Sequence, residues 1–183
     1  MFLRRRIEGA VALGLFIATI PAANWMIGHV GTVCPAGSPC LIPVWPGILA
    51  PSGVLMAGLA LVLRDVVQRR LGVAAGFGAV LIGAAVSAAV APAAIVVASA
   101  AAFGLSELAD FLVYTPLQRR RFVTAVIASS AVGLLVDSAL FLQLAFGSLD
   151  FLPGQVLGKL WTVLLTIPLL LWMRRRDARM LPA

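Results

Sequence analysis

The sequence predicts an all-α membrane protein, with six transmembrane helices in one bundle and both termini cytoplasmic. Three observations carry this. Hydrophobic residues make up 62% of the 183 positions and charged residues only 11%, with a mean hydropathy of +1.06, whereas globular chains carry about 25% charged residues. Six apolar stretches approach the ~20 residues that a hydrocarbon core about 30 Å thick demands of a helix. All but Lys159 of the 14 Lys and Arg residues gather at every second junction between these stretches, as cytoplasmic loops require.

The first span, 8–28, follows Arg4, Arg5 and Arg6. An opening MFLRRR before an apolar run also has the form of a secretory signal. No small-residue cleavage site follows, however, and the run continues through Asn24 and Trp25, so it is read as a helix. The outward loop after it, VGTVCPAGSPCLIPVWPG, is rich in Pro and Gly. Cys34 and Cys40 lie there, either as a small disulfide loop, which an extracytoplasmic position permits, or as two free thiols. His29, the single histidine, supplies at most one further ligand, and no metal site is expected.

The second span, 47–67, is followed by Arg64, Arg69 and Arg70 at its inner end; the third, 72–91, is built largely from Ala and Gly. The fourth, 93–116, ends before Arg119, Arg120 and Arg121. The fifth and sixth cover 122–147 and 153–173, the last preceding Arg174 to Arg176 and Arg179. Trp25, Trp45 and Trp172 fall near span ends, where indole rings anchor at the membrane interface. The whole chain, 1–183, reads as a single domain with no linker and no repeat period.

A net charge of +7 would suggest nucleic acid in a soluble protein. Here the basic residues form short blocks at helix ends, so their expected partner is the anionic lipid headgroup rather than nucleic acid. No Walker A loop, GxGxxG, HExxH or GxSxG is present. The expectation is therefore a protein that is not an enzyme and has no cofactor, drawing any transport energy from an ion gradient or from a separate subunit. An intramembrane aspartyl protease needs two facing aspartates. Asp110 and Asp137 fall at different depths, and no Gly-x-Gly-Asp precedes either.

Polar residues within the spans cost a few kcal/mol each unless paired or lining a cavity. They are Asn24, Asp65, Glu107, Asp110, Asp137 and Lys159. With a rise of about 1.5 Å per residue, Asn24, Asp137 and Lys159 come out level in the outer part of the bilayer, although they belong to spans one, five and six. A lysine and an aspartate at matched depth suggest an ion pair, whether a clamp between helices or part of a site. Glu107 and Asp110, three residues apart on one helix face, fall in the inner third, and Asp65 falls at the inner end of span two. An outer and an inner polar group suit a two-gated pathway.

These residues also match a family. Asn24, RDVVQRRLG at 64–72, SELADFLVYTPLQRR at 106–120, GLLVDSALFLQLAF at 133–146 and KLWTVLLTIPL at 159–169 together resemble the VUT family of integral membrane proteins, the queuosine precursor transporters. The resemblance runs through nearly the whole chain in the right order. It implies a six-helix, multi-pass protein of the bacterial inner membrane that imports a 7-deazaguanine base, preQ0 or preQ1. The chemistry of such a base then implies roles. Its N1–H and exocyclic amine are adjacent donors that a carboxylate accepts in a bidentate pair, with Glu107 the first candidate and Asp110 the second. Asn24 would read the O6 acceptor, Asp137 and Lys159 would frame the outer site, and Phe103, Phe111, Tyr114, Phe141 or Trp161 would stack on the ring. Asp65 is the candidate inner gate or site of proton coupling, and if protons are the coupling ion, Glu107, Asp110 or Asp137 is the candidate carrier. The alternative is a substrate-binding membrane subunit of an energy-coupling-factor type transporter, also six helices. A homodimer is compatible with either.

Overall fold

The computed structural model describes residues 2–36, 38–90 and 96–179. Six helices account for most of them: α1 (Phe2–His29), α2 (Val54–Leu71), α3 (Val73–Val90), α4 (Val96–Leu117), α5 (Phe122–Phe146) and α6 (Leu152–Arg179). Between α1 and α2 lies a hairpin of two short strands, β1 (Leu41–Trp45) and β2 (Ile48–Pro51). The expected junction of the third and fourth spans, around residues 91–95, falls outside the described residues.

Five helices, α1 and α3 to α6, are long and apolar enough to cross a membrane. The sixth, α2, carries Arg64, Asp65, Gln68, Arg69 and Arg70 within its 18 residues. It packs against each of the other five helices, so its charges are screened from lipid by apolar neighbours. That is the usual position of intramembrane ions, turned to the bundle interior. Around α2 the core is closed by Phe16 of α1, Val67 of α2 itself, Val126 of α5 and Leu170 of α6, all fully buried.

Glycine sets the approach of two of these neighbours. A side chain at Gly58 of α2 would meet the Lys159 Cα of α6 at 3.0 Å and its carbonyl oxygen at 3.1 Å. At Gly133 of α5 a Cβ would lie 3.0 Å from both Asp110 Cβ and Leu61 Cδ2. Small residues at helix contacts allow this spacing in membranes.

The second expected span requires correction. Residues 48–51 are a strand rather than helix, and α2 starts at Val54 and runs to Leu71 instead of ending at 67. The segment ILAPSG is apolar enough to pass for helix, and a short apolar run does not distinguish the two. Pro46 and Gly47 form the turn, with Gly47 at φ 78°, the pattern of Pro followed by a left-handed Gly that defines a type II turn. Arg64, Arg69 and Arg70 are consequently inside α2, not in a loop after it. The first and last helices are also longer than the expected spans, taking in Arg4 to Arg6 and Arg174 to Arg176. Long basic side chains extend from helix ends toward the headgroups while the helix continues.

The hairpin is tied down at one end of the bundle. Ser52 Oγ donates to the Met26 carbonyl at 2.7 Å and the Cys40 amide to that of Ile27 at 2.7 Å. Trp161 Nε1 donates to the Val44 carbonyl at 3.0 Å, and its ring stacks on Trp45 at 6.4 Å between centroids. Cys34 and Cys40 are joined by a disulfide.

At the opposite end Glu8 of α1 ion-pairs with Arg4 (3.2 Å), with Arg70 of α2 (3.0 Å) and with Arg176 of α6. Arg70 Nη1 also reaches both Asp177 carboxylate oxygens at 2.9 Å. The beginning of α1 and the end of α6 therefore lie at the same end of the molecule, together with the arginine blocks.

Candidate functional site

Arg64 is the centre of the first polar group. It sits on α2 with no exposed surface, and each guanidinium nitrogen meets a carboxylate. Nε donates to Glu107 Oε2 at 3.1 Å, Nη1 lies 2.9 Å from Asp65 Oδ1, and Nη2 lies 2.8 Å from Asp110 Oδ2. The contacts to Asp65 and Asp110 are both off the line of the N–H bonds and are ion pairs rather than directed hydrogen bonds. Ser129 Oγ of α5 donates to Asp65 Oδ2 at 3.1 Å, and Tyr114 OH to the Asp65 carbonyl at 3.0 Å. Phe111 and Tyr114 offer ring faces to the guanidinium at 5.8 and 5.7 Å, a favourable arrangement for a cation already desolvated. One guanidinium thus serves three carboxylates, all buried.

The second group joins α5 and α6. Lys159 Nζ donates to Asp137 Oδ2 and, at 2.8 Å, to Ser138 Oγ. Lys159 is buried, but the Asp137 side chain keeps 21% of its surface exposed. That surface borders a cavity enclosing about 700 Å³ of empty space, its open mouth included. All six helices contribute to the lining. Its polar residues are Thr19, Asn24, Ser52's neighbour Gly53 at the backbone, Ser87, Asp137 and Gln155, and its aromatic walls are Phe103 and Phe141. Asn24 Nδ2 donates back to the Ile20 carbonyl of its own helix at 3.0 Å, which leaves its side-chain oxygen to face other partners.

The residues singled out in the sequence therefore separate into three sets. Asn24, Asp137, Phe103 and Phe141 line the cavity, with Lys159 immediately behind Asp137. Glu107, Asp110, Asp65, Phe111 and Tyr114 surround Arg64 and do not line it. Trp161, with 41% of its surface exposed, packs on the hairpin. Sequence reasoning did not single out Arg64 as a partner for the inner acids, nor Ser129, Ser138 or Gln155. For Gln155 the available signal was a polar amide directly after Pro153 and Gly154 at the start of an apolar span. Among the described residues no group of three or more His, Cys, Asp or Glu side chains is arranged to hold a metal.

Residues 88–173 match a family model described as "Putative vitamin uptake transporter". This is the VUT family that the motifs resemble, and the matched region takes in α4, α5 and most of α6. Comparison with curated proteins and with solved structures gives no match.

Proposed function

We propose that this chain, whose residues 88–173 match the vitamin uptake transporter family model, imports a 7-deazaguanine base such as preQ0 or preQ1. It acts as a secondary transporter in a bacterial-type inner membrane, with both termini in the cytoplasm. The observation that carries the reading is the cavity shared by all six helices. It has the character of small-molecule sites, apolar walls with a few polar groups. Phe103 and Phe141 suit the faces of a planar ring, and Asp137, whose Oδ2 is held by Lys159, keeps Oδ1 to accept an N–H donor. The substrate identity itself rests on the motif resemblance.

The arginine-rich end, where α1 begins and α6 ends, supports the orientation, since basic clusters stay on the cytoplasmic side. Glu107 and Asp110 have a different use in this reading from direct contact with the base. Bound to Arg64, they form with Asp65 a carboxylate-rich group one step inward from the cavity, able to exchange protons as the base passes.

The test is binding of preQ0, preQ1, queuine and guanine to the purified protein, beside Asp137→Asn. Binding of a deazaguanine that the variant loses supports the reading. A folded protein that binds no purine contradicts it. Uptake in cells without any energy-coupling-factor module separates a secondary transporter from a subunit of such an assembly.

A further inference from the structure

We infer that Gln155 is the residue that reads the polar edge of the cavity's ligand, and that this edge is a lactam, an N–H donor beside a C=O acceptor. The inference deepens the proposed function and rests on it. Gln155 stands in the first turn of α6, 95% buried, and lines the cavity opposite no protein partner of its own. Its backbone amide is used by the Phe151 carbonyl at 2.9 Å. Its carboxamide makes no hydrogen bond to another described residue, and its polar atoms are not among the sealed, unpartnered ones. The other side-chain amide of the cavity, Asn24, is already tied by its nitrogen to Ile20. The two polar atoms of the Gln155 carboxamide open onto the cavity, where a ligand can pair with both.

The chemistry of the pairing selects the ligand. A carboxamide presents one acceptor and one donor side by side in a plane, the complement of a cis-amide edge, which it meets with two parallel hydrogen bonds. Asp137 Oδ1 adds an acceptor for a further N–H on the same ring. The Asp137–Lys159 pair is neutral overall, so the cavity offers no cation to an anionic vitamin. A neutral, planar lactam in this cavity, whose lining includes Phe103 and Phe141, satisfies each of these groups.

The experiment compares guanine with N1-methylguanine, in which a methyl group replaces the lactam N–H, on the purified full-length protein. Wild type is expected to prefer guanine by about 10- to 100-fold, the discrimination of a good bidentate pair. In Gln155→Ala the preference falls to about 1, because nothing is left to read the N–H. Gln155→Glu, which keeps the size of the side chain and loses the donor, is expected to weaken guanine by about 10-fold or more with an unchanged melting temperature. A wild-type preference that survives in both variants overturns the inference and leaves the proposed substrate standing. A wild type that binds no purine overturns both.

Discussion

Arg64 shows how a single side chain decides whether its surroundings are tolerable. Three carboxylates without it would be buried like charges, and removing one partner of a buried pair costs about 3–5 kcal/mol. Arg64→Leu is expected to destabilise by at least that much in chemical unfolding in lipid or detergent. Adding Asp110→Asn and Glu107→Gln should recover part of the loss, since fewer charges are then left unpaired. Arg64→Lys should not substitute, because a single ammonium cannot present separate donors to carboxylates on both sides of a planar fork. The Asp137–Lys159 pair separates stability from function in the same way. Lys159→Met alone strands Asp137, whereas Lys159→Met with Asp137→Asn should restore the melting temperature and still abolish ligand binding. Equal binding by the double variant and wild type would make the pair a clamp only.

At the scale of elements, the central helix depends on close approach. Gly58→Leu would drive a side chain into the backbone of α6 at Lys159. Overpacking of this kind costs about 1–3 kcal/mol, and by displacing Lys159 it should also reduce binding, which a shift in melting temperature measured with and without ligand would detect. The hairpin offers a chemical check: Cys34 and Cys40 should resist alkylation until a reductant is added, and ready alkylation of the untreated protein would show that the thiols are free. The elements also explain what was and was not legible in the sequence. The helices and their number follow from apolar length and from the spacing of arginine blocks. The level estimate put Asp137 and Lys159 together on neighbouring spans, and they do form an ion pair. Arg64 was missed for a geometric reason. Taking the hairpin residues as helix moved the expected end of α2 back by four residues, or about 6 Å, so Arg64 and Asp65 looked like end charges. Depth along a helix also says nothing of the direction a side chain faces, and Arg64 and Glu107 are 43 residues apart. Gln155 was missed because an amide near a helix start has ordinary structural uses, and only the cavity distinguishes it.

For the whole molecule, the fold places its charged helix inside five apolar ones and its open space at the level of Asp137. Glu8, Arg70, Arg176 and Asp177 hold the beginning of α1, the end of α2 and the end of α6 together at the basic end. Single cysteines introduced at Arg5 and at Arg175 in a chain lacking Cys34 and Cys40 should therefore label from the same side of the membrane. A cysteine at Ser38 should label from the other. The central claim is that the cavity carries a deazaguanine base inward at the expense of an ion gradient. The most direct test is accumulation of labelled preQ0 and preQ1 by cells that express this chain and have no other route for their uptake. The account predicts saturable accumulation that a protonophore collapses and that Asp137→Asn abolishes. No accumulation above that of control cells, with the protein shown to be folded in the membrane, would contradict it.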